Sequence, residues 1–312
     1  TQTKRMSNKK AIIVGTLAFD EIETPSGSSG KILGGAASFS SLAASCFGVD
    51  SAIISIVGKD FPDEYLDIFR KRNVNMEGVE IDKSGDTFYW KGRYHTNLNR
   101  RDTLVTELNT LANFKPIVPE SFVKADVVLL GNLHPAIQHS VLDQMKTKDT
   151  TVVLDTMNYW IEGAWDDLVK VVAKTDIITI NDEEALQMTS ANNLLDAAKK
   201  IESMGPSYII IKKGEHGAML YHNNQTFLAP AALLDNVVDP TGAGDTFAGG
   251  LVGYLASSSI VDYETIKTAI VYGSSMASFC VTGFGTKSMI NVDLEMASKR
   301  AKELQSLVRF EL

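Results

Sequence analysis

The strongest constraint on the fold is a series of short, uninterrupted apolar runs separated by helical segments. Ala11-Ile-Ile-Val-Gly15 is the first; Ala52 to Val57, Val127 to Leu130, Val152 to Leu154, Ile177 to Ile180 and Tyr208 to Ile211 follow. A strand that is apolar at every position is buried on both faces, which is the signature of a parallel sheet covered by helices. Asp63 to Lys71, Glu183 to Met188 and Leu194 to Met204 supply helical spacing between the runs. The expectation is an α/β fold of Rossmann type: three layers, a mostly parallel central sheet and helices on both faces. Ligands of such sheets sit at the carboxyl ends of the strands. A length of 312 residues suits one large domain, residues 1–312, with an appendage. The net charge of −8 argues against non-specific nucleic-acid binding but leaves a nucleotide ligand open. Two cysteines, Cys46 and Cys280, without metal-ligand spacing fit a reducing compartment. The start, Thr1 to Lys10, is polar and basic, and the apolar run Ala11 to Val14 is too short for a signal peptide or membrane span. A cytoplasmic protein with no membrane partner is expected.

Two stretches depart from this pattern. Residues 86–109 place Phe88, Trp90 and Tyr94 on one face of an alternating run and Lys91 and Arg93 on the other. The chain then turns through Asn97-Leu-Asn-Arg-Arg-Asp102 and alternates again from Thr103 to Leu108, as a hairpin does. Residues 16–33 are also irregular. Together these inserts can form a small β-sheet beside the main one. A sheet that exposes apolar side chains can also pair between subunits, which leaves a homodimer open. A second hairpin is expected where Asn223-Asn224 joins Ala218 to Tyr221 and Thr226 to Ala229.

Chemistry is concentrated in Asp239-Pro-Thr-Gly-Ala-Gly-Asp-Thr-Phe-Ala-Gly-Gly250. Pro240 fixes one φ angle, and Gly242 and Gly244 free two others. Phe247, Leu251, Tyr254 and Leu255 then fall on the stripe of an amphipathic helix, so Asp245 lies near its first turn. A glycine loop entering a helix offers unpaired N–H groups and the positive end of the dipole to an anion. A carboxylate there repels a phosphate, unless something between the two must lose a proton. An attacking hydroxyl fits, with Asp245 as base and the N–H groups of Gly242, Ala243, Gly244 and Asp245 holding the developing charge.

This stretch resembles the C-terminal signature of the ribokinase-like (PfkB) sugar kinases. The resemblance implies that Asp245 is the catalytic base and that its loop is the anion hole. It makes the inserts at 16–33 and 86–109 a lid over the substrate. Asp20, in Leu17-Ala-Phe-Asp20, corresponds to an Asp that binds substrate hydroxyls, although Ala18 stands where many members have Asn. Gly34-Gly35 before the helical run Ala36 to Cys46 resembles the N-terminal signature and is assigned to substrate. Ala36 and Phe39 replace the Lys and Asn of ribokinase, which counts against ribose. Asn181-Asp-Glu-Glu184 matches a motif that organises Mg²⁺ and phosphate: Asn181 is assigned to cofactor and Glu184 to Mg²⁺, through water. By itself this pattern is also a capping box. Lys212-Lys-Gly-Glu-His-Gly217 matches the nucleotide loop, which assigns Lys212, Gly214 and Gly217 to ATP. Thr241 and Gly285, in Val281-Thr-Gly-Phe-Gly285, also fall at the nucleotide. Backbone groups near Asp239 and Thr241 are implied in a monovalent-cation site, which makes K⁺ a candidate ion beside ATP and Mg²⁺.

Asn132, His134 and Asn158 end predicted strands, where a site is built. Asn158 is taken as a substrate contact and His134 as part of a loop. Ile266 to Cys280 reads as a helix rich in small residues, and Asp293 to Phe310 as a terminal helix. There is no Gly-x-x-x-x-Gly-Lys-Ser/Thr loop and no Gly-x-Gly-x-x-Gly after the first strand, so neither a P-loop enzyme nor a dinucleotide oxidoreductase is expected. The reading is ATP-dependent phosphorylation of a hydroxyl, a primary alcohol, on a small sugar or sugar-like substrate. The alternatives are a nucleoside kinase, with residues 88–94 stacking on the base, and an idle sugar-binding regulatory protein on the same fold.

Overall fold

The structure, a computed structural model, describes residues 9–309 and 311; the start from Thr1 to Asn8 and the end of the expected terminal helix at Phe310 lie outside them. The chain forms a nine-stranded sheet and a separate four-stranded one. The strands are β1 (Lys10–Val14), β2 (Ala18–Thr24), β3 (Gly27–Gly34), β4 (Asp50–Gly58), β5 (Val74–Asp82), β6 (Tyr89–Tyr94), β7 (Arg101–Glu107), β8 (Val127–Leu130), β9 (Thr151–Asp155), β10 (Ile177–Asn181), β11 (Tyr208–Lys212), β12 (Ala218–His222) and β13 (Gln225–Ala229). The helices are α1 (Ala36–Ser45), α2 (Asp63–Arg70), α3 (Pro135–Gln144), α4 (Asn158–Gly163), α5 (Trp165–Val172), α6 (Asp182–Thr189), α7 (Leu194–Glu202), α8 (Ala243–Ser257), α9 (Tyr263–Cys280) and α10 (Leu294–Leu307).

The large sheet runs in the order β13-β12-β11-β10-β9-β8-β1-β4-β5. Every pairing from β11 to β5 is parallel; β12 and β13 add an antiparallel hairpin at one edge. Asn223 and Asn224 turn that hairpin at φ 46° and 62°. Asparagine tolerates this left-handed region, as a tight hairpin turn requires. The apolar runs work as their pattern demands. On β1, Ala11 and Ile13 enter one core, with α1, α8 and α9; Ile12 and Val14 enter the other, with α5, α6 and α7. Together these layers make the expected three-layer α/β arrangement around a mostly parallel sheet.

Helix α8 departs from expectation. In place of one apolar stripe, it is buried nearly all round, between α1 and α9. Its glycines make this possible. A Cβ at Gly249 would meet the backbone of Ser40, and one at Gly250 would lie 3.1 Å from the Cα of Gly273. Helix α8 is therefore seated in the middle of a layer, closely packed against α1 and α9.

The second sheet runs β3-β2-β6-β7. Opposed residues share a face. Asp20 pairs with Ile32 and with Trp90, and Tyr94 pairs with Arg101, so these side chains point one way. Glu21, Glu23, Lys91 and Arg93 point the other way and form ion pairs, Lys91–Glu21 at 2.8 Å and Arg93–Glu23 at 2.6 Å. Ile22, Ile32 and Tyr94 form a small core of their own, with Phe284 packed on it. Among the described residues, no helix is long and apolar enough to cross a membrane.

Candidate active site

The carboxyl ends of β9, β10 and β11 bring three charged groups together. Asp155 ends β9 and Lys212 ends β11. They straddle β10 and form an ion pair at 2.8 Å, both largely buried. Thr179 on β10 donates to the same Asp155 oxygen at 3.0 Å. The sequence assigns Lys212 to ATP but gives no sign of its tie to Asp155. The Lys212 ammonium points at the anion loop, 3.1 Å from where a Cβ on Gly244 would stand.

Asn181 and Glu184 sit at the same ends. Asn181 accepts from the Glu184 N–H at 2.8 Å, and Glu184 accepts from the Asn181 N–H at 3.0 Å. The capping box is thus complete, so one Glu184 oxygen is committed to the helix and the other has no protein partner among the described contacts. Glu184 is still within electrostatic reach of Lys212, Asp155 and Arg101. Among the described residues no three His, Cys, Asp or Glu side chains converge into a metal cage. A donor set of this kind fits Mg²⁺ held mainly by phosphates and water, with a single carboxylate nearby.

The glycine loop meets this cluster from the other side. Gly242 caps α8 at φ 78°, a left-handed angle, with the Phe39 ring directly beneath it. Phe39 therefore props the loop and is withdrawn from substrate. The Ala243 N–H is spent on the Pro240 carbonyl at 3.2 Å, and that of Thr246 on the Gly242 carbonyl at 2.8 Å. This removes Ala243 from the expected anion hole. Among the described contacts the N–H groups of Gly242 and Gly244 have no protein acceptor. Asp245 itself is half-buried: protein surrounds it except towards the cleft. Burial, and then the nearby Asp155, push its pKa up to about 7, against the pull of Lys212 and Arg101.

Asp20 faces the loop from the small sheet, and is 5% exposed. Gly34 has no room for a side chain because the Asp20 carboxylate fills that space, and the Gly35 N–H donates to it at 3.4 Å. Gly34 thus admits Asp20, whereas Gly35, at φ 93°, is required by the close Thr16 carbonyl. Burial, then the charges of Asp245 and Asp239, raise Asp20 to about 7 although the Gly35 bond lowers it. A carboxyl that binds its proton more tightly when folded stabilises below its unfolded pKa of 3.8, and that contribution is lost as pH rises through 7. Asp20→Asn should therefore raise stability at pH 8 by on the order of 2–4 kcal/mol and change it little near pH 4. Urea unfolding at the two pH values measures this; equal effects at both would contradict the shifted carboxyl.

Asp239 clasps two loops. One oxygen accepts from the Thr241 N–H at 2.9 Å and the other from the Gly285 N–H at 3.1 Å, where Gly285 has φ 58°. The Thr241 hydroxyl in turn donates to the Tyr94 hydroxyl at 3.1 Å, tying the small sheet to the loop. In the loop after β11, Gly214 lies exposed at φ 55°, facing Asn99 of the β6–β7 turn, while Gly217 is required by the close Ala229 carbonyl of β13.

Other candidates fall away from the cluster. Asn158 is exposed and its side chain accepts from the Tyr159 N–H at 3.0 Å. No described contact brings it to the cluster. Asn132 holds the Trp160 indole at 2.7 Å, and His134 caps α3 by accepting from the Ala136 N–H at 3.1 Å. Both build the wall between β8 and β9. Sequence reasoning missed Arg101, which lies within electrostatic reach of Asp245 and Glu184. In the sequence it is one arginine in a polar turn.

Residues 12–292 match the pfkB family of carbohydrate kinases. The cytidine kinase of Thermococcus kodakarensis is 30% identical over 247 residues, 78% of this chain and 87% of that protein. Among solved structures, the nucleoside kinase of Methanocaldococcus jannaschii superposes with a TM-score of 0.76 at 19% identity, covering 95% of this chain and 98% of that one. The aminoimidazole riboside kinase of Salmonella enterica, complexed with aminoimidazole riboside and an ATP analog, gives 0.73 at 20% identity, covering 94% and 99%. The chain belongs to the pfkB family of carbohydrate kinases. It is a phosphotransferase with an alcohol group as acceptor, a sugar or nucleoside kinase of a family that uses ATP.

Proposed function

We propose that the chain transfers the γ-phosphoryl group of ATP to a primary hydroxyl of a small sugar or sugar-like acceptor. The observation that carries this is the convergence of Asp245, the open N–H groups of Gly242 and Gly244, and the Lys212 ammonium at the head of α8. Asp20 accepts hydrogen bonds from the acceptor's other hydroxyls and orients it. Asp245 takes the proton of the attacking hydroxyl; its pKa of about 7 suits a base working near neutrality. The acceptor oxygen bonds to phosphorus, the bond to the β-phosphate breaks, and ADP leaves. Gly242 and Gly244 donate to the equatorial oxygens while Lys212 neutralises them. Bound Mg²⁺, with Glu184 beside it through water, would offset phosphate charge. Gly214, Gly217, Thr241, Gly285 and Asn181 flank the nucleotide in this proposal, and the small sheet is the lid. K⁺ activation near Asp239 rests on the family resemblance alone.

A specific observation favours a nucleoside as the acceptor. Trp90 stands directly opposite Asp20 on the same face, and its indole folds over Gly92, where any side chain would collide with it. A flat aromatic surface beside a hydroxyl-binding carboxylate fits a sugar that carries a heteroaromatic base. The named activity of the Thermococcus relative, a cytidine kinase, supports the same choice. The test is kcat/KM for ribonucleosides and for free sugars, in the wild type and in Trp90→Ala. A nucleoside preference that falls at least about tenfold in Trp90→Ala, as loss of a stacking partner worth over a kilocalorie implies, supports the nucleoside. Equal losses on sugars and nucleosides would return the assignment to a simple sugar.

A further inference from the structure

The small sheet places one charged group in the cleft that the scheme above leaves unused. Arg101 opens β7 directly opposite Tyr94. Its guanidinium donates to the Tyr94 hydroxyl at 3.4 Å and packs over the Trp90 ring, 5.4 Å from the centroid. Those contacts engage one of its five N–H donors. Asp245 and Glu184 attract it, but no carboxylate among the described residues pairs with it. Lys212, the other cation of the cleft, pairs with Asp155 and meets the phosphate only from the Gly244 side. Arg101 is exposed, and its remaining donors have no protein acceptor among the described contacts.

The anchoring of this arginine is specific. The Tyr94 ring is 7% exposed, and its oxygen accepts from both Arg101 and the Thr241 hydroxyl. Thr241 is fixed by Asp239, which also holds Gly285. Arg101 is thus hydrogen-bonded, through one phenolic oxygen, to the loop that carries Gly242 and Asp245. Charge balance points the same way. Asp155, Glu184 and Asp245 lie within electrostatic reach of Lys212, and Asp245 and Glu184 also of Arg101, and a nucleotide adds further negative charge. A planar guanidinium with adjacent free donors matches two oxygens of a phosphoryl group.

We propose that Arg101 is a catalytic residue that grips the phosphoryl group in flight, and that Tyr94 is the positioning residue that aims it. This rests on the reading of Asp245 as base in ATP-dependent transfer. Arg101 forms no covalent bond in the step; it spreads the charge on the transferring oxygens as the acceptor attacks. It also makes the small sheet a supplier of catalytic charge as well as a cover, so transfer requires the sheet to be seated on the loop.

The test compares Arg101→Gln, Arg101→Ala and Tyr94→Phe with the wild type. Arg101→Gln is expected to lower kcat 10²–10³-fold, the range for a lost phosphoryl-group donor, with an unchanged melting temperature. Its affinity for ATP should fall at least tenfold more than its affinity for ADP, by calorimetry. Added guanidinium chloride should restore part of the activity of Arg101→Ala saturably, and none to Tyr94→Phe. Tyr94→Phe should lose kcat about tenfold with the KM for the acceptor unchanged. Equal losses of ATP and ADP affinity at unchanged kcat would overturn the proposal, as would a change confined to the acceptor KM. Asp245→Asn is measured alongside. If it is inactive while Arg101→Gln turns over normally, the arginine proposal alone fails; if it is fully active, the kinase mechanism beneath it fails.

Discussion

Asp245→Asn is expected to lower kcat by about 10²–10⁴, the worth of general-base catalysis, while leaving ATP affinity within a few-fold. The side chain keeps its size and loses only its ability to take a proton. Asp245 also repels phosphate, so the neutral variant should bind ATP no worse than the wild type. Steady-state kinetics and calorimetry separate the two effects. The pH profile of the wild type should carry the signature of the same group. Asp245 acts only when deprotonated, so kcat/KM is expected to fall as pH drops through about 7. A flat profile between pH 6 and 8 would mean that another group, or none, accepts the proton.

Lys212→Met is expected to have the second large effect, in two ways. It removes the ammonium beside Gly244 that meets the phosphate, a loss of about 10²–10³ in kcat. It also removes the cation that lowers the pKa of Asp245 and of Glu184. The acidic limb of the profile should therefore move above pH 7, and the variant should recover part of its activity in alkali. Asp155 would be left buried without its partner, which costs stability on the order of 3–5 kcal/mol. Thermal unfolding, read alongside kinetics from pH 6 to 9, checks both. A loss of activity with no movement of the limb would separate Lys212 from the base.

Much of this was legible in the chain because the signals were local. The apolar runs that became β1, β4 and β8 to β11 are buried on both sides, so every residue reports the same environment. Asn223-Asn224 announces its turn by residue type. Asp245 is marked by the glycines around it. What stayed hidden depends on distant pairing. Strand β5 lies at the sheet edge and is buried only at Val74 and Gly78, so it offers no continuous apolar run. Asp155 and Lys212 are 57 residues apart in sequence, and their pairing exists only because β10 separates β9 from β11. Helix α8 read as amphipathic from its large residues, whereas Gly249, Gly250 and Gly253 record a second and third packed face. Asn158 was drawn in by its place after a strand, but the turn into α4 carries it outward. Ala243 looked like one more N–H donor until the turn at Pro240 claimed it.

The most direct measurement is a rapid-quench single turnover with ATP labelled at the γ-phosphate, enzyme in excess, and the acceptor preferred in steady state. The account predicts that label moves from ATP to the acceptor hydroxyl in the wild type and stays on bound ATP in Asp245→Asn. Label appearing as inorganic phosphate independently of acceptor, or transfer at the wild-type rate in Asp245→Asn, would contradict it.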